Sequence, residues 1–166
     1  MKQAKKIKVR TRLSTLAFTP GGISAKDALA RADVAIEKMR DPSLAAIDLA
    51  LNAMETRFGP ANAGRDNEPS DDLYELSASI IDVAVCVRDT GIDQGAKALC
   101  DLVDLSTELA VWDWEAVDLH ISTLRMLRSG GEALGARERG ALIDGLLKVT
   151  RKRIGDPKSL AEPAAG

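Results

Sequence analysis

Apolar residues recur every three or four positions along most of this chain, which is the spacing of one face of an α-helix. One helical stripe begins after Ser24, and a second follows Pro42. Asp41 and Pro42 suit the start of a separate helix, but a proline also fits within a kinked one. The pattern therefore leaves two alternatives for residues 24–58, a helical hairpin or one long kinked helix. The two stripes consist of Leu29, Ala32, Ile36 and Met39, and of Leu44, Ile47, Leu51, Met54 and Phe58.

Four further apolar stripes follow a polar, glycine-bearing loop over residues 59–70. Their short connections predict an all-α fold: an antiparallel helical bundle of about four helices over roughly 71–154, preceded by the hairpin or kinked long helix of roughly 25–58. The segment from Ile80 to Val87 is the candidate central helix, although its β-branched residues also leave a buried strand open. The stripes consist of Leu73, Leu76, Ile80, Val83 and Val87, widened by Ile81 and Val85; of Leu99, Leu102, Val103, Ser106 and Leu109; of Val117, Ile121, Leu124 and Leu127; and of Leu142, Ile143, Leu146 and Leu147.

Polar residues and a glycine mark several of the predicted helix ends. Ser24 and Asp27 form a capping-box pattern, in which the hydroxyl accepts from an amide of the first turn. Asp93 and Asp113 are candidate N-caps of the fourth and fifth helices. Gly91 suits the left-handed residue that would end the third helix.

The composition is that of a closely packed helical core. The chain has 166 residues, of which 45% are hydrophobic and 3% are aromatic. Its core must therefore consist mainly of Ala, Leu, Ile and Val. A chain of this length typically forms one domain and buries about 70% of its unfolded surface.

Charge is distributed unevenly around a formal net charge of −2. Residues 1–23 form a basic arm and turn, which we expect to be mostly flexible, although its cations could contact phosphates or an acidic protein face. Residues 155–166 predict a disordered tail. The near balance of charge and the scarcity of aromatic residues argue against a nucleic-acid partner.

Cysteine usage and hydropathy indicate a cytoplasmic protein. Cys86 and Cys100 lie in apolar segments, which predicts reduced, buried thiols rather than a disulfide. The basic start is not followed by the apolar segment of a signal peptide. No apolar run approaches the roughly 20 residues that a membrane span needs, so we expect no membrane insertion.

His120 is the only histidine, so a metal pair of histidines is impossible. It shares helical spacing with Val117 and Leu124, which indicates a histidine at the edge of the core, paired with a carbonyl or an acid. The alternative is a phospho-acceptor in a histidine phosphotransfer bundle. Arg125 and Arg128, the cations that could assist a phosphate, lie five and eight residues downstream and not on the adjacent turn.

Other candidate features favour structural roles. Trp112 and Trp114 predict a packed corner between the fourth and fifth helices, with an exposed interface anchor as the alternative. Asp101, Asp104 and Glu108 recur at helical spacing, which is typical of a solvated face but would also suit a basic partner. No phosphate-binding glycine motif is present. The sequence therefore predicts no catalytic residue, no cofactor and no metal site, and it assigns no protein-binding residue.

Three segments resemble the alphaproteobacterial chemotaxis protein CheE family. They are TPGGISAKDAL over residues 19–29, GIDQGAKALCDLVD over residues 91–104 and AVDLHISTLRML over residues 116–127. With the helix order, the resemblance covers most of residues 12–153. It implies an accessory role near the chemotaxis phosphorelay and supplies no catalytic residues.

We therefore expect a non-enzymatic helical adaptor that binds a response regulator or kinase component of bacterial chemotaxis signalling. One alternative is a histidine phosphotransfer protein that uses His120. Another is an oligomeric structural bundle, such as a homodimer, that associates through the stripe over residues 44–58.

Overall fold

The computed structural model describes residues 22–60, 65, 70–88, 90–130 and 133–154. In these ranges the regular elements are α-helices, which confirms the predicted all-α fold, and the strand alternative for the third segment is wrong. None of these helices is long and apolar enough to cross a membrane. The helices are α1 (Ala25–Phe58), α2 (Ser70–Ala84), α3 (Ile92–Leu109), α4 (Trp114–Gly130) and α5 (Ala136–Arg153).

The chain divides into two compact units, Met1–Lys38 and Met39–Gly166, and α1 contributes residues to both. The predicted basic arm up to residue 21, most of the loop predicted at 59–70 and the tail predicted at 155–166 lie outside the described residues.

The described part of the first unit is the start of α1. The predicted capping role of the Ser24 hydroxyl is confirmed: it accepts a hydrogen bond from the Asp27 amide at 3.1 Å and donates to the Asp27 carboxylate at 2.8 Å. This exchange satisfies one of the amides that a helix start leaves unpaired. The predicted apolar stripe is not buried here, since Leu29 is 68% exposed and Ile36 is half-buried.

Pro42 lies inside α1 and does not end it, so the long helix is the correct alternative and a separate helix capped by Asp41 is wrong. A proline inside a helix removes one backbone hydrogen bond and costs about 3 kcal/mol. The second stripe offsets this cost, because Ile47, Leu51 and Met54 are fully buried and each contributes roughly 1.5–3 kcal/mol.

The second unit has one continuous hydrophobic core, to which α2, α3 and α4 contribute together with the second half of α1. The tightest helix pairing is α2 with α3, and α5 packs on both α3 and α4. Gly95 on α3 allows a close approach to α4, because a Cβ there would lie 3.0 Å from the side chains of Leu124 and Leu127.

The connection between α2 and α3 differs from the prediction. α2 ends at Ala84 and is followed by turn residues, so Val85 is 70% exposed instead of widening the buried face. Gly91 has φ +70° but stands at the start of α3, and it is not the residue that ends α2. The hydroxyl of Thr90 accepts from the Ile92 amide at 3.4 Å, which places Thr90 near the cap.

Asp93 lies within the first turn of α3, so its predicted N-cap role is wrong. The reason is that α3 begins at Ile92 with Gly91 as its N-cap, two residues earlier than an Asp93 cap would place it. The predicted N-cap of the next helix is confirmed, because the Asp113 carboxylate accepts from the Ala116 amide at 3.1 Å. The predicted apolar stripe of α4 is buried along its whole length.

α5 packs through a narrower face than its stripe predicts. Leu146 and Thr150 are its buried residues, while Leu142 and Ile143 are half-buried and Leu147 is 37% exposed. The prediction that all four apolar residues are buried is therefore wrong for Leu147. The helix lies on one side of the α3–α4 pair, so only one of its edges meets the core.

Candidate functional site

His120 lies in the core of the second unit, where it is 0% exposed. Its Nδ1 lies 2.7 Å from the carbonyl oxygen of Ala116, one turn earlier in α4, and its Nε2 lies 3.3 Å from Thr150 Oγ1 on α5. A carbonyl can only accept, so Nδ1 carries the proton and the bare Nε2 can only accept. The Thr150 hydroxyl lies within donating distance of both this Nε2 and, at 3.2 Å, the Leu146 carbonyl, and its single proton serves one of them at a time. Burial lowers the pKa of His120, which keeps the imidazole neutral.

This geometry bears directly on the phospho-acceptor alternative. A phosphotransfer histidine must present a ring nitrogen to an aspartate of another protein, and both ring nitrogens of His120 face groups inside the core. Arg125 bonds Glu55 with two nitrogens, at 2.7 and 2.8 Å, and Arg128 bonds Asp48 at 2.7 Å. The two cations that could assist a phosphate are therefore engaged in joining α4 to α1.

The α1–α4 contact is a row of complementary polar groups beside the core. Asp48, Asn52 and Glu55 recur at helical spacing on α1, and Arg125 also contacts Asn52. The guanidinium of Arg125 lowers the pKa of Glu55. Four of the five residues in the apolar stripe over residues 44–58 are buried within this chain, namely Ile47, Leu51, Met54 and Phe58, so the stripe packs on the chain's own core.

The two tryptophans form the predicted packed corner, since both are half-buried against the core. Trp114 stacks on Phe58 at a centroid distance of 6.4 Å and on Trp112 at 5.8 Å. Arg65 covers the exposed side, with its guanidinium 5.0 Å from the Trp114 ring and 2.5 Å from the Asp118 carboxylate. Sequence patterning missed Arg65, which is separated from its partners by long stretches of chain.

Both cysteines are free, as predicted, but they differ in burial. Cys100 is buried on α3, whereas Cys86 is half-buried in the turn after α2. Burial raises the pKa of Cys100, and the nearby Asp104 and Asp101 carboxylates act in the same direction. A thiol held in its protonated form is a poor nucleophile.

An acidic groove runs between α2 and α3, with a volume of about 420 Å³. Two residues of the predicted acidic row, Asp104 and Glu108, line it from α3. The third, Asp101, instead bonds Lys97 on its own helix at 2.9 Å. We call this concavity the α2–α3 groove. It is lined by Asp71, Tyr74, Glu75, Val103, Asp104, Thr107 and Glu108.

The sequence pattern singled out the acidic row on α3, favouring a solvated face for it, and did not single out the acids of α2. Asp71 and Glu75 have the same four-residue spacing as Asp104 and Glu108, so an acidic row was readable on α2 as well. Tyr74 lies between the two α2 acids and is 40% exposed. Only the pairing of the two helices shows that these rows flank one groove.

Among the residues that the structure describes, no group of three or more His, Cys, Asp and Glu side chains is arranged to hold a metal ion. Comparisons with known protein families, curated proteins and solved structures found no match to this chain.

Proposed function

We propose that this protein is a non-catalytic accessory protein that binds another protein through the α2–α3 groove. The observation that carries the proposal is the groove itself, a solvent-open concavity of about 420 Å³ on the surface of a packed helical unit. Grooves between helices commonly accept a helix or an extended segment of a partner. The partly exposed ring of Tyr74 supports this role, because tyrosine is enriched where proteins bind each other.

The proposed partner is a response regulator or a kinase component of bacterial chemotaxis, and the proposed compartment is the cytoplasm. This part of the proposal rests on the resemblance to the chemotaxis protein CheE family. One of the resembling segments, residues 91–104, belongs to α3 and includes Val103 and Asp104 of the groove.

Affinity capture with the full-length protein tests this function. The bait is exposed to a lysate of the source organism, and the captured proteins are identified by mass spectrometry. A groove variant, Glu75→Lys with Glu108→Lys, is compared with a matched control, Asp82→Lys with Asp144→Lys, which makes the same charge change at exposed positions outside the groove.

The proposal predicts that a chemotaxis response regulator or kinase is enriched by the wild-type protein and by the control, and is lost from the groove variant. It fails if no chemotaxis protein is enriched. It also fails if such a protein is retained equally by the groove variant, because binding would then use another surface.

A further inference from the structure

We propose that the α2–α3 groove takes a basic amphipathic helix of the partner, with lysines or arginines along both edges of an apolar stripe. This inference rests on the proposed function and specifies the chemistry of the partner segment. It follows from the charge of the two rims, from the exposed ring between them and from the rigidity of the helix pair that holds them.

The rims of the groove are two parallel acidic rows. Glu75 lies four residues after Asp71 on α2, and Glu108 lies four residues after Asp104 on α3. Four helical residues span about 6 Å, so the α3 rim presents two carboxylates about one turn apart, and Glu75 faces them from the α2 rim. Asp71 also lines the groove but has an interaction within the chain, so the inference rests on Glu75, Asp104 and Glu108. Within the described part of the chain, no lysine or arginine lines the groove.

This spacing complements a helix in the bound segment. A helix places residues four apart on the same face, about one turn from each other. A partner helix with cations at that interval along one edge would bring them near Asp104 and Glu108, and a cation on its other edge would lie near Glu75. The rims thus favour a basic segment and repel an acidic one, which gives the groove selectivity as well as attraction.

The groove also offers an apolar contact between the rims. Tyr74 lines the groove and is 40% exposed, whereas Val103, which also lines it, is almost wholly buried. The hydroxyl of Thr107 donates to the Val103 carbonyl at 2.8 Å, so its proton is already used within α3. A leucine-like side chain or an aliphatic lysine stem could therefore pack on the Tyr74 ring.

The two rims are held in a fixed relationship by the core behind them. Leu73 and Ile80 on α2, and Leu99 and Leu102 on α3, are all fully buried. α2 and α3 form the most extensive helix pair of the described structure. Because the two helices are already packed against each other, binding does not have to order their backbones. Less of the attraction between rim carboxylates and partner cations is then offset by lost conformational entropy.

The test measures fluorescence anisotropy of a labelled synthetic peptide titrated with the full-length protein. The probe is a four-turn helix with a leucine stripe flanked on both sides by lysines four residues apart. A second peptide, with every lysine replaced by glutamate, serves as the control ligand. The protein variants are Glu75→Lys with Glu108→Lys, Tyr74→Ser, and the control Asp82→Lys with Asp144→Lys.

We expect saturable binding of the basic peptide that weakens at least about tenfold in the Glu75→Lys, Glu108→Lys variant and severalfold in Tyr74→Ser. The control should stay within about twofold of the wild-type protein, and binding should weaken as salt rises. If the control variant binds the basic peptide as weakly as the groove variant does, the inference is wrong, because the peptide would then respond to the net charge of the protein and not to the groove. Binding of the acidic peptide with similar affinity would also overturn the inference. So would self-association of the wild-type protein and the control that is lost only in the Glu75→Lys, Glu108→Lys variant, because the groove would then bind a second copy of this chain.

The outcome separates this inference from the proposed function. If a chemotaxis protein is captured through the groove but the basic peptide does not bind, the function holds and the partner chemistry is wrong. If the peptide binds through the groove but no chemotaxis protein is captured, the groove chemistry holds and the function fails.

Discussion

The imidazole Nε2 of His120 lies 3.3 Å from Thr150 Oγ1, and this contact joins the middle of α4 to the last turns of α5. A second polar link lies nearby, because Arg153 on α5 also bonds Glu115 on α4 at 2.7 Å and Asp113, the N-cap of α4, at 3.2 Å. The buried link and the exposed link together hold a helix that buries few apolar side chains. The His120–Thr150 pair is therefore a structural contact on which the docking of α5 depends.

The stability of the fold should depend on pH through His120. Burial lowers the pKa of His120 below its ordinary value of 6.5, and the hydrogen bond to Ala116 opposes that shift only in part. In the unfolded chain the ring titrates near the ordinary value, so the unfolded state binds the proton first as the pH falls. The free energy of unfolding should thus fall as the pH drops from about 7.5 through 6.5, and level off below the folded-state pKa.

Urea denaturation across this pH range measures the effect, with His120→Gln as the variant that cannot titrate. The carboxylates contribute equally to both proteins, so the difference between the two curves isolates the imidazole. Identical pH slopes for the wild-type protein and His120→Gln would show that the ring is not held neutral in the core.

Thr150→Val should destabilise the protein by about 1–3 kcal/mol, because it removes a hydroxyl that lies within donating distance of the buried Nε2 of His120. Thr150→Ser keeps the hydroxyl and should cost less. Thermal or urea denaturation checks both variants. If Thr150→Val lowers the free energy of unfolding no more than Thr150→Ser does, the Thr150 hydroxyl does not donate to His120.

Gly91→Ala should destabilise the fold by roughly 1–2 kcal/mol. Gly91 has φ +70°, a conformation that costs a residue with a Cβ about this much, and the added Cβ would lie 3.1 Å from Ile143 on α5. Gly140→Ala is the matched control, since no atom lies within 4 Å of a Cβ there and alanine favours a helix by up to about 1 kcal/mol. The two substitutions should therefore shift the melting temperature in opposite directions, and a shared direction would contradict the geometry of the α2–α3 connection.

The ion pair between Arg125 and Glu55 should contribute modestly, about 0.5–1 kcal/mol, because both side chains are partly exposed to solvent. A double-mutant cycle with Arg125→Met and Glu55→Gln measures this coupling energy. Arg125 holds the pKa of Glu55 below its ordinary 4.5, so the contribution is present above that pH and is lost as the pH falls through the folded-state pKa. A coupling that is zero at neutral pH, or that grows on acidification, would contradict the two-nitrogen contact.

The parts of the fold that follow from periodicity were predictable, and those that follow from register between helices were not. The stripe of α4 is buried as predicted, and so is that of the second half of α1 apart from the half-buried Leu44, because a sustained helical spacing reports which face meets the core. Leu29 and Leu147 share that spacing but remain exposed, since periodicity does not show whether a neighbouring helix covers the face.

The candidate site was likewise predictable within one helix but not across two. The acids at Asp104 and Glu108 were visible as a row on one helix, yet the α2–α3 groove exists only because α2 presents Glu75 opposite them. Likewise, Arg65 meets Asp118 across 53 positions of sequence, and no local pattern links the two. The left-handed Gly91 was recognised as a helix end, but glycine in that conformation also precedes helices, which is its place here.

Site-specific photo-crosslinking at Tyr74 tests the central claim most directly. The full-length protein, with Tyr74 replaced by p-benzoylphenylalanine, is irradiated in cells of the source organism, and the same replacement at the exposed Leu119 on α4 is the control. The account predicts a crosslinked product at Tyr74, absent at Leu119, that contains a chemotaxis response regulator or kinase joined through a lysine- or arginine-rich segment. No crosslinked product at Tyr74, or the same products at both positions, would contradict the assignment of the α2–α3 groove as the binding surface.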